Sequence, residues 1–195
     1  MNKKDLIKRL KNFKFHENIL NAFKKVDRTL FVPAELKDRA YEDVALPIGY
    51  CQSISQPYTI ALMLTLLDIH EGQEILEIGS GSGYVLALLS KLNKNGKILG
   101  IEKIGALAEN SKERLKKYKN IEVIHGDAMK LENKKFDRIL ASASFREIPQ
   151  KLIDYQLKTK GIFVAPVKNS IIIIKKDLDG NRIKEYPGFS FVPIV

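Results

Sequence analysis

The residues best suited to chemistry lie in Glu77-Ile78-Gly79-Ser80-Gly81-Ser82-Gly83-Tyr84. Three glycines at alternate positions let a backbone turn sharply and let a ligand approach where a Cβ would collide. A helix starting just after them offers free N–H groups. Glu102 follows Gly83 by 19 residues, at the end of the apolar run Ile98 to Ile101. An acid at that distance can accept hydrogen bonds from both hydroxyls of a ribose. Asp127, within His125-Gly126-Asp127-Ala128, follows the next apolar run and brings a further acid to the same edge.

The glycine spacing is GxGxG and not the GxGxxG of dinucleotide sites, and Glu77 stands directly before it. A carboxylate there attracts the cationic end of a ligand and repels a pyrophosphate at close range. The pattern therefore favours S-adenosylmethionine, with its sulfonium and ammonium, over NAD. Glu77, Gly79, Ser80, Gly81, Gly83, Glu102, Asp127 and Ala128 form the expected cofactor set. His16, His70 and His125 have no metal-ligand spacing and there is one cysteine, so no metal is expected.

These residues need a frame. Residues 3 to 30 carry Leu6, Ile7, Leu10 and then Ile19, Leu20, Phe23, Val26 at the spacing of two short amphipathic helices, ended by Phe31-Val32-Pro33. Ala34 to Pro57 sustains no period and reads as a long irregular segment with a binding role. Pro57 suits the first turn of a helix through Leu67, with Ser55 or Gln56 near its cap. Beyond Gly72, expected strands at 74–78, 97–101, 121–124, 136–142 and 161–167 alternate with expected helices at 83–92, 105–118 and 147–157. That alternation predicts stacked βαβ units.

Ser170 to Lys176 and Arg182 to Tyr186, around Asp179-Gly180-Asn181, read as an antiparallel hairpin, and Phe189 to Val195 as a candidate last strand. The fold class is α/β, Rossmann-like, with a mostly parallel sheet, helices on both faces and a C-terminal hairpin. We expect one domain over 1–195: a substrate-side part (1–57), a cofactor-binding core (58–167) and terminal strands (168–195).

The 195 residues carry a net charge of +10. The lysines are scattered, and the cluster Lys112, Arg114, Lys116, Lys117, Lys119 falls on a surface helix and its end. The charge thus reads as a solvated face and not a nucleic-acid footprint. Cys51 is the only cysteine, which excludes an intramolecular disulfide and suits a reducing, cytoplasmic setting. The basic start MNKKDLIKRL has no apolar stretch or cleavage site behind it, and apolar runs such as Ile171 to Ile174 are far shorter than a membrane span. Neither a signal peptide nor a membrane partner is expected.

The far end of the expected fourth strand is Ala141-Ser142-Ala143-Ser144, without the Asn/Asp-Pro-Pro-aromatic element that grips a nucleobase in many amino-methyltransferases. The chain instead resembles the protein-L-isoaspartate O-methyltransferases. The resemblance runs through Phe31-Val32-Pro33, Ala40-Tyr41-Glu42-Asp43, Ala45-Leu46-Pro47-Ile48-Gly49, Gln52-Ser53-Ile54-Ser55-Gln56-Pro57-Tyr58, the glycine loop, Glu147-Ile148-Pro149 and Phe191-Val192-Pro193-Ile194-Val195. It implies methyl transfer from S-adenosylmethionine to the free α-carboxylate of L-isoaspartyl residues in damaged proteins, which then reach a succinimide. It also implies that Ser55 is the active-site serine, with Ser53, Ile54 and Ser142 on the substrate side. Cys51 stands where the family commonly has glycine, Ala128 replaces the second glycine of a Gly-Asp-Gly element, and Phe145-Arg146 replaces a small or proline-rich pair.

So sparse a set suits the chemistry, since a carboxylate is ionised at neutral pH and a sulfonium is already activated. Ser55 would orient the acceptor and not attack it. Two other readings stay open at this point: a class I RNA methyltransferase, suggested by the charge, and a cofactor-binding paralogue without repair activity. The expected partners are isoaspartyl proteins and peptides, and the expected state is a monomer.

Overall fold

The computed structural model of the chain describes residues 1–131 and 134–194. It opens with α1 (Lys3–Asn12) and α2 (Glu17–Lys25), whose buried residues include Leu6 and Leu10, then Ile19, Leu20 and Phe23. That is the one-sided burial their spacing dictates. Asn2 and Asp5 close a capping box on α1, and a 3-10 turn over Arg28–Phe31 follows α2.

The segment Ala34 to Pro57 is more ordered than its sequence suggests. It contains a 3-10 turn (Ala34–Arg39) and an antiparallel hairpin of β1 (Leu46–Gly49) and β2 (Gln52–Ile54). Tyr50 and Cys51 form the hairpin turn with φ of 54° and 55°. Left-handed φ at both central positions matches the twist of paired strands, and Asn-Gly usually supplies it. Here a Tyr-Cys pair does, so the turn signal is missing, and strands of four and three residues are too short to show alternation.

α3 (Pro57–Leu67) starts at Pro57 as expected. Then come β3 (Glu74–Ile78), α4 (Tyr84–Leu92), β4 (Lys97–Glu102), α5 (Gly105–Leu115), β5 (Ile121–His125), β6 (Phe136–Ala141), α6 (Gln150–Gln156), β7 (Leu157–Val167), β8 (Ser170–Asp177) and β9 (Gly180–Pro187). Strands expected from sequence match these to within a residue or two, β7 excepted. It starts at Leu157 and not at 161, because the chain passes from α6 into β7 with no Gly or Pro between them. α6 starts at Gln150, after Pro149 at its cap, and α5 ends three residues short of the expected 118.

Seven strands form one sheet in the order β5-β4-β3-β6-β7-β8-β9, parallel from β5 to β7 and antiparallel at β8 and β9. Successive strands run outward from β3 to β5, and the chain then returns to place β6 on β3's other side. Ligands of open α/β sheets bind where the order reverses in this way, beyond the carboxyl ends of the strands. Neighbouring residues feed opposite cores. Ile75, Ile98, Leu140 and Ile162 pack with residues of α1 to α4, while Leu76, Leu99, Ile139 and Phe163 pack with Leu152 and Ile153 of α6. Burial on both faces is why β3, β4 and β6 read as continuous apolar runs.

The tail corrects one expectation. Phe189 to Ile194 adds no strand; it makes a single parallel bridge in which Ser144 N–H donates to the Val192 carbonyl at 2.8 Å and Ile194 N–H to the Ser144 carbonyl at 2.9 Å. Pro193 sits at the centre of that bridge, where its nitrogen faces away from Ser144 and costs the pairing nothing. Val195 lies outside the described residues. Among the described residues no helix is long and apolar enough to cross a membrane.

Candidate active site

The floor of the site is the turn between β3 and α4. Gly79, Gly81 and Gly83 have φ of 73°, 52° and 85°, in the left-handed region that L side chains avoid. Gly79 N–H and Ser80 N–H both donate to the Ile101 carbonyl, at 2.8 and 3.2 Å, tying the turn to the end of β4. The buried Glu102 carboxylate completes the clamp, accepting from Gly81 N–H at 2.7 Å and Ile104 N–H at 2.9 Å. Gly83 stands apart from the cleft. A Cβ there would meet Leu115 Cδ1 at 2.7 Å and Ser111 Cβ at 3.2 Å, so this glycine lets α4 start against α5.

Glu77 is buried at the end of β3. Its Oε1 accepts from Ser142 Oγ at 2.7 Å, while its Oε2 has no partner among the described residues. Burial, together with repulsion from Glu102, pushes its pKa up to about 8 against the opposing bond from Ser142. Ser80 Oγ is also buried, without a partner among the described residues. Buried unpaired polar atoms are rare and point to a ligand group that satisfies them. Glu77 Oε2 suits a cationic one, which is the fit that an amino acid sulfonium requires. Asp127 caps the 3-10 turn Ala128–Lys130, its Oδ1 accepting from Met129 N–H at 2.9 Å, and the carbonyl of the buried Ala128 accepts from Gln156 Nε2 at 3.0 Å.

A cleft of about 1000 Å³, counted to its open mouth, is lined by this floor and by Ile48, Ser53, Ile54 and Ser55 of the hairpin side. Its rim includes the tail residues Val192 to Ile194. Every expected site residue lines it except Gly83: Glu77, Gly79, Ser80, Gly81, Glu102, Asp127, Ala128, Ser142, Ser53, Ile54 and Ser55. A second, open hollow of about 830 Å³, counted with the solvent at its mouth, lies against Ala45, Thr59 and Ser190 and shares Ser53, Ser55 and Ser142 with the first.

Ser55 does not cap α3. Its hydroxyl makes no hydrogen bond among the described residues. Asp43 holds the helix start from a distance, with Oδ1 accepting from Tyr58 N–H at 2.8 Å and Oδ2 from Arg9 Nε at 3.1 Å. Sequence reading missed Ile48, which would lie 3.2 Å from a Cβ on Gly81, and the cleft residue Gln52. Both belong to the hairpin that gave no pattern. It also missed Arg28, a buried cation whose Nη2 donates to the Ser55 carbonyl at 3.0 Å.

Comparison with known proteins shows the family and the fold. A protein-L-isoaspartate O-methyltransferase 2 of Archaeoglobus fulgidus is 44% identical over 185 residues, covering 90% of this chain and 84% of that protein. A protein-L-isoaspartate O-methyltransferase of Methanococcoides burtonii is 40% identical, covering 97% and 98%. Among solved structures, a Plasmodium falciparum protein described as a protein-L-isoaspartate O-methyltransferase, in complex with S-adenosyl-L-homocysteine, superposes with a TM-score of 0.86 at 25% identity. That superposition covers 100% of this chain and 99% of the other. The family model for protein-L-isoaspartate (D-aspartate) O-methyltransferase matches residues 1–195 from end to end, and the chain belongs to that family of class I S-adenosylmethionine-dependent methyltransferases.

Proposed function

We propose that Ser55 orients the free α-carboxylate of an L-isoaspartyl residue for methylation at the boundary of the two cavities. The observation that carries this reading is the Ser55 hydroxyl, unbonded among the described residues, in a wall common to the cofactor cleft and the outer cavity. Bound S-adenosylmethionine supplies an activated methyl group on a sulfonium. Glu102 keeps acceptor capacity beyond its two backbone bonds for the ribose hydroxyls, and Asp127 with Ala128 borders the adenine end. Glu77 Oε2 takes the ammonium. Gly79 and Gly81 keep side chains out of the ligand's path.

The acceptor needs no base, since a carboxylate is already ionised at neutral pH. Its oxygen must be held in line with the sulfonium and shielded from water. Ser55 and Ser53 donate to it, Ile54 supplies an apolar wall, and the bonded pair Ser142–Glu77 fixes the floor beneath. Fixed geometry of this kind can account for most of the rate. The ester that forms is then attacked by the following backbone nitrogen, and methanol leaves as the succinimide closes.

A methyl-transfer assay comparing an isoaspartyl peptide with its aspartyl twin tests the reading. The isoaspartyl peptide should be methylated and its twin left essentially untouched, because the extra backbone methylene moves the acceptor oxygen. Ser55→Ala should lower kcat about 10²-fold with little change in S-adenosylhomocysteine affinity. Equal methylation of both peptides, or wild-type kcat in Ser55→Ala, would sink it.

A further inference from the structure

Arg28 is fully buried on its 3-10 turn, and no carboxylate among the described residues forms an ion pair with it. Its Nη2 donates to the Ser55 carbonyl at 3.0 Å and reaches the Val44 carbonyl at the 3.5 Å limit of a bond. Its guanidinium carbon sits 5.1 Å from the centroid of the Tyr84 ring. Nε and Nη1 have no partner among the described residues. Burial lowers its pKa only to about 10, so the group is cationic at neutral pH.

A buried cation with two idle donors is a poor way to stabilise a core, and an apolar side chain of similar volume serves stability as well or better. What an apolar side chain cannot do is hold two carbonyls. Ser55 and Val44 bracket the β1–β2 hairpin, while Tyr84 is the first residue of α4, directly after the glycine turn. One planar group thus grips the acceptor wall through Ser55 and rests on the cofactor wall through Tyr84. Arginine can do both, because its donors form a rigid fork and its face stacks on aromatic rings.

We infer that Arg28 is a positioning residue that sets the separation between the acceptor-orienting Ser55 and the cofactor floor. The inference rests on the Ser55 reading given above. Arg28→Met should fold, bind S-adenosylhomocysteine within about threefold of wild type and melt no lower, yet lose about 10- to 100-fold in kcat on the isoaspartyl peptide. In a Ser55→Ala background the same substitution should lower kcat by less than about threefold, because residues acting as one unit are not additive. Arg28→Lys, which keeps one charged donor, should recover part of the loss.

Wild-type kcat in Arg28→Met overturns the inference, as do fully multiplicative losses in the double variant or a fall in cofactor affinity that matches the fall in kcat. If Arg28→Met fails to fold, Arg28→Lys decides. A kcat loss of about fivefold or more with cofactor affinity retained supports the positioning role, and unchanged kcat ends it. An unaffected Ser55→Ala brings down the acceptor reading and this inference together, whereas a crippled Ser55→Ala beside an unaffected Arg28→Met brings down this inference alone.

Discussion

Glu77 is the residue whose chemistry is most altered by its surroundings. Its folded pKa of about 8 lies above its ordinary 4.5, so the folded protein retains a proton that the unfolded chain releases. The stability this contributes is complete below about 4.5 and is lost as pH rises through about 8. Glu77→Gln does not titrate. Without ligand it should therefore melt close to wild type at pH 5 and clearly above it at pH 8.5, while binding S-adenosylmethionine more weakly. Melting curves across that range check this, and a gap that stays constant with pH would mean Glu77 is not held neutral. That Glu77, Glu102 and Asp127 share one cleft was legible because each sits next to an apolar run that had to be a strand. Arg28 was not legible, since an arginine beside Asp27 in a polar stretch looks like surface and only packing shows it buried. Gly83 was legible as a glycine but not in its role, which depends on where Leu115 of α5 falls.

Among the elements, α3 bears most directly on the proposed role of Ser55, because it begins two residues after that serine. Its first turn has no side-chain cap from Gln56, and Asp43 supplies the bond from the loop before β1. Asp43→Ala should cost about 1 kcal/mol, and up to about 2, within the range of roughly 0.5–2 kcal/mol for a lost cap. At about 2–4 °C per kcal/mol for a chain of this size, the melting temperature should fall by some 2–8 °C. Asp43→Asn should recover most of that, since its amide oxygen can still accept from Tyr58 N–H. An unchanged melting temperature in Asp43→Ala would show that Pro57 alone secures the start. The central parallel strands were readable because burial on both faces gives them short apolar runs, Ile75-Leu76, Ile98-Leu99 and Ile139-Leu140-Ala141. The hairpin over the cleft was not: four and three residues carry no period, and its turn lacks the residues that usually announce one. The tail looked like a strand because Phe, Val and Ile recur in it, yet among the described residues it makes one bridge only, at Ser144.

Over the whole molecule the excess of positive charge is spread and partly paired. Lys112 bonds Glu109, Lys116 bonds Glu113, Lys24 bonds Glu17 and Lys158 lies between Glu74 and Asp137, all at or near the surface. Raising salt from 50 to 200 mM should therefore change peptide methylation by less than about tenfold, against the 10³–10⁵ loss of a binder making 6–10 phosphate contacts. Tight, steeply salt-sensitive binding of structured RNA would instead mark the surface as a nucleic-acid footprint. At this scale the βαβ alternation foretold a parallel sheet but not its order, because the sequence carries no mark of the crossover that returns β6 beside β3. The hairpin turn has a further, practical consequence. Cys51 is the sole thiol of the chain and stands exposed at the hairpin tip, one residue before Gln52 on the cleft wall. A maleimide dye should attach at one site in the native protein, giving an optical reporter built into the roof of the cleft. Its emission should shift when S-adenosylhomocysteine binds beneath it, and a label blind to saturating ligand would show that the roof and the floor do not communicate.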